Sequence, residues 1–178
     1  MPVVRLAVAA CVLLVLTACG AGHAADDDGS VRQSLTTPDP TVAAERSDLA
    51  SGGLVRSLAE GITLTVSAPT SFTPTDTAYP RAARAVAFEL LIENGSDTVY
   101  RPAQMSFVAT ADGAAAVQVV DSTQGYTGVV GAIDEVPPSD TLRFAVAFGV
   151  PSKPCVVRVA VRPASSAASA IPIFDGTV

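Results

Sequence analysis

Between Gly61 and Val161 apolar residues recur at every second position, and that period leaves room for little but β-strands. Ile62, Leu64 and Val66 alternate with Thr63, Thr65 and Ser67. In Arg84–Glu93, Val86, Phe88, Leu90 and Ile92 share one face; Glu89 and Glu93 lie on the other, with Leu91 between them. Leu142, Phe144, Val146 and Phe148 repeat the pattern, and so do Val157, Val159 and Val161, with Arg158 and Arg162 outward. Successive side chains of a strand point to opposite faces, so each of these segments is built to bury one face. No helix-length amphipathic run interrupts the stretch.

Turn residues punctuate the alternation. Pro69 ends the first strand, and a polar loop follows over Thr70–Ala83 with Pro74, Asp76 and Pro80. Asn94-Gly95 and Asp112-Gly113 are the dipeptides most suited to two-residue hairpin turns, because both central residues can take positive φ. Thr98–Tyr100, Met105–Ala111 and Ala116–Asp121 read as strands; Gly125–Gly131 is a glycine-punctuated loop carrying Tyr126. Pro137-Pro138-Ser139-Asp140 is a turn, and Ile171–Phe174 a short final edge strand. Seven or eight short strands at this spacing predict an all-β antiparallel sandwich over residues 54–178, with a small barrel as the alternative closure. The expected core is Phe88, Leu90, Ile92, Phe107, Leu142, Phe144, Val146, Phe148, Val157 and Val159.

The first 18 residues differ in kind. Arg5 precedes Leu6–Leu16, an uncharged apolar run too short to span a hydrocarbon core that needs ~20 residues. Leu16-Thr17-Ala18-Cys19-Gly20 follows. This resembles the lipobox of bacterial lipoproteins. The resemblance implies cleavage after Ala18, diacylglycerol on the Cys19 sulfur, and a place on the extracytoplasmic face of the cell membrane. Each buried methylene of such an anchor contributes ~0.8 kcal/mol, so two acyl chains hold where one binds reversibly. Residues 19–53 have linker composition, with Asp26-Asp27-Asp28-Gly29 and Thr36-Thr37-Pro38-Asp39-Pro40, and at most a short helix over Thr41–Ala50. Thirty flexible residues reach on the order of 30 Å. The triple Asp lacks the spacing of a calcium loop and reads as a solvated spacer.

The order of motifs in the folded part also resembles a family. Gly61-Ile62-Thr63-Leu64-Thr65-Val66-Ser67-Ala68-Pro69 leads into Phe72-Thr73-Pro74, then Arg84-Ala85-Val86-Ala87-Phe88-Glu89 and Ile92-Glu93-Asn94-Gly95-Ser96. Pro137-Pro138-Ser139-Asp140-Thr141 precedes Phe144-Ala145-Val146-Ala147-Phe148-Gly149-Val150-Pro151. This is similar to the DUF4352-type, immunoprotective-antigen-like domains of lipoproteins from actinobacteria and other Gram-positive bacteria. The resemblance implies an immunoglobulin-like sandwich outside the cytoplasm and transfers no active residue.

Chemistry is sparse. The one histidine, His23, falls in the linker, so histidine catalysis and histidine metal sites are not expected in the folded part. The formal net charge of −6 disfavours a phosphate backbone as partner, and no cofactor motif occurs. The lipobox resemblance implies that Cys11 leaves with the signal peptide and that Cys19 is lipidated, which leaves only Cys155, read as a small apolar strand residue after Pro154. Asn94-Gly95-Ser96 matches a glycosylation sequon but is better read as a turn. Carboxylates that would support a hydrolase are Glu89, Glu93, Asp121, Asp134, Glu135 and Asp140, if the fold brings them together. The candidate interaction surface is loop-borne: Tyr79, Arg81, Tyr100, Arg101 and Tyr126, residue types enriched at binding hot spots. The expected function is a membrane-anchored, non-catalytic binding or adaptor module for an envelope protein or wall component. A small-ligand carrier is the alternative, and a hydrolase the remote one.

Overall fold

The computed structural model describes residues 53–129, 135–163 and 169–178. The signal segment, Cys19, the linker, the expected Thr41–Ala50 helix and Asp134 lie outside the described residues. Among the described residues ten strands are present: β1 (Leu54–Ala59), β2 (Ile62–Val66), β3 (Thr70–Phe72), β4 (Arg84–Asn94), β5 (Ser106–Ala111), β6 (Ala114–Ala116), β7 (Gln118–Val119), β8 (Thr141–Val150), β9 (Val156–Arg162) and β10 (Ile171–Thr177). They form the expected antiparallel sandwich. One sheet runs β1-β2-β4-β8-β7 with β3 also on β4; the other runs β10-β9-β5-β6.

The alternation decides which faces meet. Val86, Phe88, Leu90 and Ile92 are fully buried between the sheets, against Val157, Val159 and Val161 of β9. The Phe88 ring lies 5.1 Å from Phe174 and 6.5 Å from Phe148, both tilted. Burying one such side chain contributes ~1.5–3 kcal/mol. Of the ten expected core residues nine are buried; Phe107 is half-buried against the cluster. Cys155 is buried at the mouth of β9, where its N–H and carbonyl pair with Val178.

Asp112-Gly113 makes the β5–β6 hairpin, with φ of 50° and 83°. Asn94-Gly95 does not make a hairpin. β4 is already paired on both edges, by β2 and β8, and the chain after Asn94 leaves for the other sheet. Asn94 is buried and ties that exit down. Its Nδ2 donates to the Thr98 and Val136 carbonyls at 2.8 Å each, and its Oδ1 accepts from Ser96 N and Oγ at 3.0 and 2.7 Å.

Other departures share a cause in edge pairing. The segment Thr70–Ala83 is not all loop, because Thr70–Phe72 pairs with Ala85–Ala87 beside β2. The run Ala116–Asp121 is not one strand. Ala114–Ala116 pairs with β5 and Gln118–Val119 with β8, so the chain changes sheets at Val117. Thr98–Tyr100 contributes only a bridge, Tyr100 to Val136. Leu54–Ala59, which carries no clean alternation, is a strand because it pairs along β2.

Candidate functional site

The outer face of the first sheet prepares the site. Ala85, Ala87 and Ala147 are buried on the face opposite Phe88. Residues directly across a ladder share a face, so Phe72, opposite Ala85, stands on this outer face. Its ring lies 4.3 Å from that of Tyr126. Small side chains on the strands make room for two loops, 73–83 and 120–129, to lie against the sheet.

A buried carboxylate pins those loops together. Asp121 is fully buried. Its Oδ2 accepts from Thr75 N at 2.7 Å and Gln124 Nε2 at 3.0 Å, and its Oδ1 from Thr75 Oγ1 at 2.8 Å. Burial opposes the charged form, but hydrogen bonds from the backbone and side chains of Thr75 and Gln124 outweigh it and hold the carboxyl below its ordinary 3.8. Thr77 and Thr123 join their hydroxyls at 2.9 Å beside the pin, and Gln124 Nε2 also reaches the Thr73 carbonyl at 3.0 Å.

The pin fixes Tyr79. Its N–H donates to the Val120 carbonyl at 2.9 Å and its carbonyl accepts from Val120 N at 2.8 Å, next to Asp121. The Tyr79–Pro80 bond is cis. Tyr79 is 80% exposed, with Val117 at 61% and Val120 at 38%. Tyr79 and Val120 face each other across the bridge, so their side chains lie on one face. Nearby an open groove of about 410 Å³ is lined by Pro80, Ala82, Ala111, Ala114, Val117 and Gly149. Arg81 lines it too and pairs with Asp76 at 3.4 Å, an exposed contact of little energetic weight.

The five expected surface residues therefore do not form one surface. Tyr79 and Arg81 belong to this rim. Tyr126 is half-buried on Phe72. Tyr100 and Arg101 sit at the opposite end of the sandwich, beyond Asn94, where Arg101 pairs with Glu135 at 2.6 Å. The Tyr100 hydroxyl is buried without a partner, and desolvation pushes its pKa up to about 12. The rim's other members, Val117, Val120 and the groove alanines, went unread in the sequence. Their signal was Ala114–Val120, where alternation fails and apolar side chains fall on both faces.

Among the described residues Glu89, Asp121 and Asp140 do not converge. Glu89 faces Arg143 at 3.6 Å, Asp140 caps the Thr141 N–H at 2.8 Å, and Asp121 is enclosed by its own loops. Among the described residues no three His, Cys, Asp or Glu side chains come together as a metal site. The sequon asparagine is Asn94, whose amide is buried and doubly bonded. Comparison with protein-family models, curated proteins and solved structures gives no match. The class that can be stated is an all-β sandwich with an apolar rim and groove on one flank.

Proposed function

We propose that this protein is a membrane-anchored extracytoplasmic lipoprotein, held by Cys19, whose sandwich is a non-catalytic binding or adaptor module of the DUF4352-like kind. The observation that carries the binding role is the rim of Tyr79, Val117 and Val120. A large side chain left 80% exposed is ordinary when single. Here its backbone is bridged to Val120, next to the buried Asp121 carboxylate, and it stands beside further exposed valines and an apolar groove. Tyr supplies a rigid, amphipathic contact at low entropic cost, which suits it to an interface.

The test places photo-crosslinking benzoylphenylalanine at Tyr79 in intact cells, with the same probe at Val99, near Asn94 at the other end, as control. Adducts with an envelope component specific to position 79 are expected. Equal labelling from both positions, or none, overturns the reading.

A second reading has one observation behind it. The groove volume of about 410 Å³ falls within the ~300–1,000 Å³ of small-ligand pockets, as a carrier requires. Its apolar lining would select an apolar ligand. Saturable binding of an apolar probe, competed by filling the groove with Ala114→Leu, would favour it over the adaptor.

A further inference from the structure

The groove beside the rim lies where a ladder of backbone hydrogen bonds stops short. β7 pairs with β8 at Gln118↔Phe148 and Val119↔Ala147, and beyond them Gly149 N donates to the Val117 carbonyl at 2.9 Å. Continued at the same register, the next rung would join Ala115 to Pro151. Proline has no N–H to donate. The Pro151 carbonyl accepts instead from Arg84 Nη1 at 3.2 Å, and β8 has ended at Val150.

Ala115 does not turn to β5 either. Backbone groups along a strand point alternately to its two sides. Asp112 N–H crosses to the Val156 carbonyl at 2.8 Å, so Thr110 turns its backbone to β9, and Ala109 and Ala111 turn theirs to β6. Ala115 stands opposite Thr110. Its N–H and C=O therefore point away from β5, along the edge on which Val117 meets Gly149. Among the described residues no backbone group meets either of them. That edge borders the groove, which Ala114, Ala115 and Val117 line together with Ala82, Ala83 and Pro151.

An open edge is a template for another strand, and the other outer strands are blunted against that. β1 shifts register between Ser57 and Ala59. β10 carries Pro172 with a register shift beside it, and Arg56 Nε donates to the Pro172 carbonyl at 3.0 Å. Past β7, Tyr79 pairs with Val120. β6 is Ala114-Ala115-Ala116, with no charge, proline or register shift.

We infer that the occupant of the groove is an extended peptide segment of a partner protein, which adds to β6 as a further strand. A donor and an acceptor on one residue of a strand edge are what a second backbone pairs with, whereas an apolar small molecule would leave both unpaired. Small side chains on the groove walls leave room for that backbone, and exposed Val117 supplies an apolar contact for its side chains. This rests on the adaptor reading and names the chemistry of its partner.

The probe is a phage-displayed library of random peptides selected on the full-length protein. Binders rich in Val, Ile and Thr are expected, and their binding should slow hydrogen exchange of the Ala115 amide, read by NMR. A selected peptide is then N-methylated one residue at a time. Affinity should fall about tenfold at the residue that donates to the Ala115 carbonyl and little at its neighbours, whose N–H groups point the other way. Ala115→Pro removes the donor from the protein and should weaken binding comparably. Ala114→Leu keeps the backbone, fills the groove and should abolish binding. Failure to select any peptide, unchanged exchange at Ala115, or equal losses at every N-methyl position overturns the inference. If benzoylphenylalanine at position 79 still captures an envelope component in the Ala114→Leu background, the adaptor reading stands while strand addition falls. If position 79 captures nothing in either background, both fall.

Discussion

Two buried polar side chains tie loops of this sandwich in place, and they do so by opposite chemistry. Asn94 uses both halves of its amide, donating to two carbonyls and accepting from Ser96. Asn94→Ala strands those groups and should cost about 2–4 kcal/mol in urea denaturation. Asn94→Asp should cost more, because it turns a carboxylate oxygen toward two carbonyl oxygens; a milder effect for Asp than for Ala would refute the hydrogen-bond assignment. Asp121 uses charge. Its pKa is lower in the folded protein than its ordinary 3.8, so its stabilisation is fully present above that value and fades as pH falls through the lower folded-state value. Asp121→Asn should lower the melting temperature at neutral pH and narrow its deficit below pH 3.8. A deficit constant across that window would show that the charge contributes nothing. Neither residue was readable in its role. Asn94 looked like half of a hairpin turn and Asp121 like one carboxylate among several, because sequence does not reveal which distant backbone groups a side chain will reach.

At the scale of elements, period two was sufficient wherever a strand has one wet face. β4, β8 and β9 lie where their alternation puts them, and their inward residues are the core. Legibility failed where pairing comes from a neighbour's free edge instead of the strand's own pattern, as in β1 and β3, and where the chain changes sheets at Val117. Turns divide in the same way. Asp112-Gly113 acts locally, whereas Gly61 is constrained from a distance: with φ of 72°, a Cβ there would sit 2.8 Å from Ser96 N. Gly61→Ala should therefore exceed the ~1 kcal/mol usual for glycine at positive φ, since backbone must move to admit the methyl. Gly113→Ala, where nothing lies within 4 Å of the added Cβ, should stay near that value. Equal losses by chemical denaturation would contradict the close approach.

For the whole molecule, the central expectation concerns attachment. Cys19→Ser should release the protein to the medium or leave an uncleaved precursor, read by membrane fractionation and intact mass; unchanged partitioning would remove the lipid anchor from the account. Of the proposed interaction surface, the sequence supplied Tyr79 and Arg81 but grouped them with Tyr100, Arg101 and Tyr126, which the fold places elsewhere. Composition and local pattern determined the all-β class and the inward faces, and carry the lipobox resemblance, because each depends on residues within a few positions of one another. Only the tertiary structure decided which loops share the Asp121 pin, which alanines line the groove, and that Tyr79 stays exposed while Tyr126 packs on Phe72. Those outcomes depend on contacts across 46 residues in the Thr75–Asp121 bond, and on the space that small side chains leave on a neighbouring strand.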